Sequence, residues 1–362
     1  MKIVDVRAMT CDVPVPRPII MGDLRYNTRD YVVVEITTDE GLSGFGWGMA
    51  RYAPVAEIIE RNLKPLLIGE DPLLNEHLWD RLYYLNLLIA QRGIYMRALS
   101  VVDIALWDLK GKAAGLPVWK LLGGHRRRMP VLMAGGYVAA DRDVRALRDE
   151  VANYAKRGFR LIKIAAGELA TDTERLRVAR EAAGDAKLMY DAHWGWRDPQ
   201  AALRVVRGWA DLDLAWIEDP FPSEHLAQLA RFRQRSTIPL AIGEDITGRW
   251  AFQRILDDDL ADTLRVDVTN CGGFTEALKI CALAAARGVP VSPHVYPEIH
   301  VHLAAALPIV AHVEMTDPPQ GIEAMHRLMA STLEIRDGMA DAPDRPGLGF
   351  EPDRAALKEF RR

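Results

Sequence analysis

Cysteine is scarce in this chain: its 362 residues include three, Cys11, Cys271 and Cys281, with no Cys-x-x-Cys pair among them. That excludes a disulfide framework and a cysteine zinc site, and it fits a reducing compartment. Long apolar runs are missing as well. No stretch approaches the ~18 residues that a bilayer requires. The N-terminal MKIVDVRAMTCDV alternates apolar and polar residues and lacks the continuous apolar core of a signal peptide. Neither sign of charge dominates: 46 Lys and Arg against 50 Asp and Glu leave a formal net charge of −4, which offers nucleic acid no basic surface. No glycine-rich phosphate motif stands near the last predicted strands. With 49% hydrophobic and 27% charged residues, the expectation is a soluble, cytoplasmic globular protein.

The length admits two domains or one large barrel with an added cap. Residues 1–124 read as an α+β unit, with strands over Lys2–Val13, Arg29–Thr38 and Gly44–Trp47, and the turn Asp39-Glu40-Gly41 before the third. The segment Pro14–Asn27 reads as a long loop of the kind that closes over sites. Helical periodicity follows, clearest over Arg97–Leu109, where apolar residues on most faces predict a buried helix.

The texture changes over residues 125–320. VLMA, RLIKIA, KLMYDA, LAWIED, PLAIGE, TLRVDV, VPVSPH and AHVEMT recur at a nearly constant interval between amphipathic helices. Helix starts are marked by a capping box, Thr171-x-x-Glu174, and by Asp198-Pro199. Eight strands alternating with helices predict a closed parallel α/β barrel. Residues 321–362 are turn-rich and are expected to pack back on the N-terminal domain.

Active sites in such barrels lie at the C-terminal strand ends. The third, fourth and fifth strands end in Asp191, Glu218 and Glu244. Met189, Trp216 and Ile242, each two residues earlier, share their faces if alternation holds, so all three acids would enter the barrel mouth. Converging carboxylates repel unless a cation neutralises them, and an all-oxygen set suits Mg²⁺ or Mn²⁺ better than Zn²⁺. The second strand contributes Lys163, the sixth Asp267, the seventh His294 and the eighth Glu314. His193 follows Asp191 by two. A histidine beside an aspartate on the next strand has a fixed tautomer and raised basicity. Metal, base and cation together suit removal of a proton next to a carboxylate, which builds up negative charge.

The motifs KIAAG with Lys163, YDAH with Asp191, WIEDP with Glu218, IGED with Glu244, RVDVTNCGG with Asp267, SPH with His294, and HLAAALP followed by Glu314 resemble the enolase superfamily, in its mandelate racemase-like group, over nearly the whole chain. The resemblance implies an α+β capping domain closing a modified (β/α)₇β TIM-type barrel, with Mg²⁺ on Asp191, Glu218 and Glu244. It implies His294–Asp267 as general base, Glu314 as hydrogen-bond donor to the substrate carboxylate, and a homo-oligomer. Two departures bear on the reaction. Members that racemise carry Lys-x-Lys at the second strand; here Lys163 is followed by Ile164 and Ala165. The position two beyond the first metal ligand is commonly Asn and here is His193. Both resemble the galactonate dehydratase-like pattern, in which one histidine takes the α-proton and the other protonates the leaving β-hydroxyl. Lys163 would then be an electrostatic partner of the carboxylate. The implied activity is dehydration of an aldonate or aldarate to a 2-keto-3-deoxy acid; the alternative is a racemase, epimerase or lactone cycloisomerase using the same enolate. Arg25 and Tyr52 of the N-terminal domain are the expected substrate contacts.

Overall fold

The structure, a computed structural model, describes residues 1–21, 24–139, 142–318 and 321–362. Strands β1 (Ile3–Met21), β2 (Leu24–Thr38) and β3 (Ser43–Met49) form an antiparallel sheet in that order. The expected loop between the first two strands is instead a continuation of their hairpin. After a register shift between Pro14 and Ile19, pairing resumes at Ile19–Tyr26 and Ile20–Arg25. β1 is an edge strand, where a proline costs no ladder hydrogen bond, so its prolines bend the hairpin without ending it. Gly22 and Asp23, part of the same expected loop, lie outside the described residues.

The long helix Ile94–Ala114 packs on β3 and is buried along most of its length. Close approach is enforced by two glycines of β3. A Cβ on Gly46 would stand 1.9 Å from the Val101 carbonyl oxygen, and one on Gly44 would stand 2.2 Å from that of Ala105. The same helix carries two buried acids that reach outward. Asp103 accepts from the amide and hydroxyl of Thr275 (3.0 and 2.6 Å), on the barrel helix Gly273–Arg287. Asp108 accepts from the amides of Phe45 (2.8 Å) and Leu348 (2.7 Å), and its charge meets Lys112 at 2.8 Å. These bonds lock cap, barrel and C-terminal segment together.

Eight parallel strands build the barrel: β4 (Arg128–Gly135), β5 (Leu161–Ala165), β6 (Lys187–Asp191), β7 (Leu214–Glu218), β8 (Leu240–Ile242), β9 (Thr263–Val266), β10 (Val291–Pro293) and β11 (Val313–Thr316). β11 returns to pair with β4, Glu314 opposite Leu132, and the last seam is a bridge between Val291 and Val310. Inside, Leu132, Ala134, Met189, Trp216 and Ala241 form an apolar layer beneath the mouth. Of the two expected helix starts, Asp198 caps through the Gln200 amide (2.8 Å). Thr171 occupies the cap position, but its hydroxyl donates to the Glu168 carbonyl (3.1 Å) and leaves the helix amides uncapped. The chain ends on the cap sheet, where Arg354 forks onto Glu35 (2.9 and 2.6 Å) and Arg362 onto Asp12 (2.7 and 2.6 Å). Among the described residues no helix is long and apolar enough to cross a membrane.

Replacing Gly46 by Ala should cost at least ~1–3 kcal/mol through overpacking against Val101, measurable as a lowered midpoint in denaturant. A second test concerns His302. Its Nδ1 accepts the Trp119 amide (3.2 Å) and its Nε2–H donates to the Leu348 carbonyl (2.9 Å), so only the neutral ring serves both. Burial pushes His302 down to about 4 from 6.5. The unfolded chain therefore binds the extra proton between those values, and stability should fall as pH drops from 6.5 towards 4. Denaturant melts across that window should show the loss, and His302→Gln should flatten it.

Candidate active site

Strand alternation brings most of the predicted groups to one place. Lys163, in the middle of β5, points inward and is 2% exposed. Its ammonium lies 3.0 Å from Asp191 Oδ2, 2.8 Å from Glu218 Oε1 and 3.2 Å from Glu314 Oε1. Burial opposes its charge, yet Asp191, Glu218 and Glu314 together hold its pKa well above the ordinary lysine value. Ala165, two residues on, is paired opposite Asp191, so the level at which a second base would project from β5 carries only a methyl group.

Glu244 arrives by a different route from the one alternation suggests. In β8 it is Ala241 that joins the inner layer, while Ile242 belongs to the outer core. Strict alternation would turn Glu244 outward. Gly243 breaks the period with a φ of +135°, and a Cβ there would stand 2.6 Å from the Arg265 carbonyl oxygen. The result is a buried triad, Asp191, Glu218 and Glu244, whose ligand atoms lie within 4.8 Å of one another. Burial, then Asp191 and Glu218, push the Glu244 carboxyl well up, and its Oε2 is buried without a hydrogen bond. An orphaned carboxylate oxygen in an all-oxygen set is what a hard divalent cation satisfies, so the donor chemistry fits Mg²⁺.

Arg265 was missed by the sequence reasoning. It sits two residues before Asp267 on the inner face of β9, fully buried, and its spacing was the available signal. Its Nε lies 2.9 Å from Glu218 Oε1, and its other nitrogens reach Glu314 and Ser292. Against the penalty of burial, Arg265 and then Lys163 hold Glu218 below the usual carboxylate range. Glu314 accepts at both oxygens, from Lys163 and from Arg265. Glu314 thus clamps two cations in the structure.

His294 Nδ1 donates to Asp267 Oδ2 at 3.0 Å, leaving Nε2 facing the mouth, 3.3 Å from Glu244 Oε2. Asp267 is fixed from behind by the amide and hydroxyl of Thr269, both at 2.7 Å. Burial opposes the Asp267 charge, but the bond and charge of His294, with His300 and Thr269, together outweigh it and bring the group to about 2. At the other end of the triad His193, with a φ of +47°, places Nε2 3.3 Å from Asp191 Oδ2. The two expected substrate contacts belong to the N-terminal domain. Tyr52 stacks on Tyr26 at 4.8 Å and donates its hydroxyl to the Thr28 carbonyl, and Arg25 is exposed on the hairpin.

This arrangement matches two family descriptions: residues 4–123 the mandelate racemase / muconate lactonizing enzyme N-terminal domain, and residues 146–356 the enolase C-terminal domain-like family. The chain belongs to the enolase superfamily. It is 35% identical to arabinonate dehydratase of Saccharolobus solfataricus, over 93% of this chain and 92% of that one. It is also 35% identical to D-galactarolactone cycloisomerase of Agrobacterium fabrum, over 100% and 99%. Among solved structures, L-talarate dehydratase from Polaromonas, complexed with Mg and L-glucarate, superposes with a TM-score of 0.90 at 31% identity, covering 100% of this chain and 97% of that one. In this superfamily member the resemblance and the donor set agree on magnesium.

The Gly243 kink yields a test of the triad. Mg²⁺ should raise the melting temperature, and Gly243→Ala should weaken the apparent Mg²⁺ affinity about 10–100-fold by turning Glu244 away. Equal Mg²⁺ stabilisation in both proteins would remove Glu244 from the site.

Proposed function

We propose that this protein is a Mg²⁺-dependent dehydratase of a sugar acid, an aldonate or aldarate, converting it to the 2-keto-3-deoxy acid. The observation that carries the reading is the pair of histidines at opposite ends of the carboxylate triad, His294 at Glu244 and His193 at Asp191, with Ala165 where a second-strand base would stand. Elimination needs a base for the α-proton and an acid for the departing hydroxyl, and two imidazoles supply both near neutral pH.

In this mechanism His294 Nε2 takes the proton from the carbon beside the carboxylate. Asp267 keeps the ring oriented and stabilises the imidazolium that forms. The metal, when bound, supplies Lewis-acid stabilisation of the charge that builds on the carboxylate. Lys163 adds a second positive charge beside that carboxylate and stays protonated throughout, held by Glu314, Asp191 and Glu218. His193 gives its proton to the β-hydroxyl, which leaves as water, and the enol product tautomerises to the keto acid.

A second reading, a lactone cycloisomerase, is favoured by the equal identity to the Agrobacterium fabrum enzyme over the full chain. A cytoplasmic location and a homo-oligomeric state complete the proposal. The three free, buried cysteines support the first, and the exposed Leu85, Leu88 and Ile89 offer an apolar surface for the second.

The test is a panel of aldonic and aldaric acids with Mg²⁺, read by semicarbazide trapping of α-keto acid and by α-proton exchange with D₂O. His294→Asn should lower kcat/KM about 10²–10⁴-fold and abolish exchange. His193→Ala should abolish keto acid while exchange persists. Isomerised acid without keto acid would replace the dehydratase by the second reading.

A further inference from the structure

Arg51 stands two residues past the end of β3, with a φ of 55°. The strand delivers it to the barrel mouth. Gly48 lies so near Thr269 that a Cβ on it would stand 3.0 Å from the Thr269 Cβ, and Thr269 is the residue that fixes Asp267. The acidic groups acting on the Arg51 charge are Asp245, Glu244, Tyr296 and Asp267. The three carboxylates are otherwise engaged: Asp245 pairs with Arg97 at 2.7 Å, Asp267 holds His294 and Thr269, and Glu244 belongs to the triad. Among the described residues Arg51 donates no hydrogen bond and has no carboxylate within 4.0 Å.

A second polar group in the same place is also without a partner. Tyr296, two residues past His294, is 2% exposed with a φ of 44°, and its hydroxyl makes no hydrogen bond. Its neighbours in charge are Glu323, Asp267, Arg51 and Arg29. Of these, Arg29 is tied to the Ile322 carbonyl at 2.8 Å. One Glu323 oxygen takes the Tyr31 hydroxyl and the amides of Ala324 (2.9 Å) and Met325 (3.1 Å). The Tyr296 hydroxyl is buried and unpaired, which is costly, and the half-buried Arg51 beside it offers a five-donor guanidinium shaped for a carboxylate.

We propose that Arg51 and Tyr296 form a subsite for a second carboxylate at the far end of the substrate, so that the preferred substrate class is a hydroxylated dicarboxylate, an aldarate. The inference rests on the dehydratase reading and narrows it. Lys163 touches Asp191, Glu218 and Glu314, whereas Arg51 answers to Glu244, Asp245 and Asp267. The two cations thus attend different carboxylates of the triad, Lys163 at Asp191 and Glu218 and Arg51 at Glu244, the carboxylate that His294 also meets. A chain whose reacting carboxylate lies at Lys163 and whose α-proton faces His294 extends towards Arg51. An aldonate would leave its neutral terminal hydroxymethyl against the guanidinium and the buried Tyr296 hydroxyl, the kind of mismatch that polar sites reject strongly.

The experiment compares kcat/KM for an aldarate and the aldonate of the same configuration, with Mg²⁺, in the unsubstituted protein and in Arg51→Met, Arg51→Lys and Tyr296→Phe. The unsubstituted protein should favour the aldarate by at least ~100-fold. Arg51→Met should bring that ratio close to one, mainly through the aldarate KM. Arg51→Lys should restore part of it, and Tyr296→Phe should narrow it less. Preference for the aldonate in the unsubstituted protein, or an unchanged ratio in Arg51→Met, would overturn the subsite and leave the dehydratase standing. Keto acid from neither class in the unsubstituted protein would instead overturn the dehydratase reading, and the subsite with it.

Discussion

The barrel mouth depends on a charge balance struck on its floor. Asp191, Glu218, Glu244, Asp267 and Glu314 converge there, and two fixed cations, Lys163 and Arg265, are buried among them. Each buried ion costs several kcal/mol unless paired and hydrogen-bonded, so removing either cation would strand charge in the core. The pairing is directional as well. Glu218 Oε1 receives both cations from below, 2.8 Å from Lys163 and 2.9 Å from Arg265. Five carboxylates against two cations leave an excess that a divalent ion at the triad reduces, and the excess is greatest at Glu244, whose Oε2 has no hydrogen bond.

That balance can be used only if the mouth is covered, and the cap is fastened by polar bonds that are themselves buried. Asp103 binds the helix that follows β9, Asp108 binds the C-terminal segment, and His302 joins the linker at Trp119 to Leu348. Burial raises Asp103 to about 7 and Asp108 to about 6 despite their donors. With Gly44 and Gly46 seating the long helix against β3, these contacts fix the end of β3, and hence Arg51, over Thr269 and Asp267. Cap, barrel and C-terminal segment thus share one hydrogen-bonded frame.

The barrel was legible in the sequence because its strands repeat at a nearly constant interval, and Lys163, Asp191, Glu218, Asp267, His294 and Glu314 follow strand alternation into the mouth. Glu244 was reached by the right motif with the wrong geometric reason: alternation in β8 points away, and Gly243 reverses it with a backbone conformation that alternation cannot express. The hairpin β1–β2 read as a loop because proline is a turn signal locally, whereas an edge strand tolerates it. Arg51 stands beside Tyr52, the residue first chosen, but neighbours on a strongly curved backbone face different ways. Tyr52 turns to Tyr26 and Thr28, whereas the carboxylates acting on the Arg51 charge are Asp245, Glu244 and Asp267.

The chain has nine histidines, and their surroundings decide which can move a proton. His300 and His302 each spend both ring nitrogens on buried backbone bonds. His312 is buried against Trp216 and Ser292 and is held neutral at about 4, with burial the leading cause. His225 bonds Gln228 on the outer surface. Among the described contacts only His193 and His294 have a ring nitrogen on a triad carboxylate, and only His294 has an aspartate behind it. The bond from Nδ1 to Asp267 fixes the His294 ring with Nε2 towards the triad. His193 has its Nε2 on Asp191 itself, and no described contact puts a carboxylate at its other ring nitrogen. The two rings therefore meet the triad from opposite ends and differ in what holds them, since His294 is anchored from behind by a carboxylate and His193 is not.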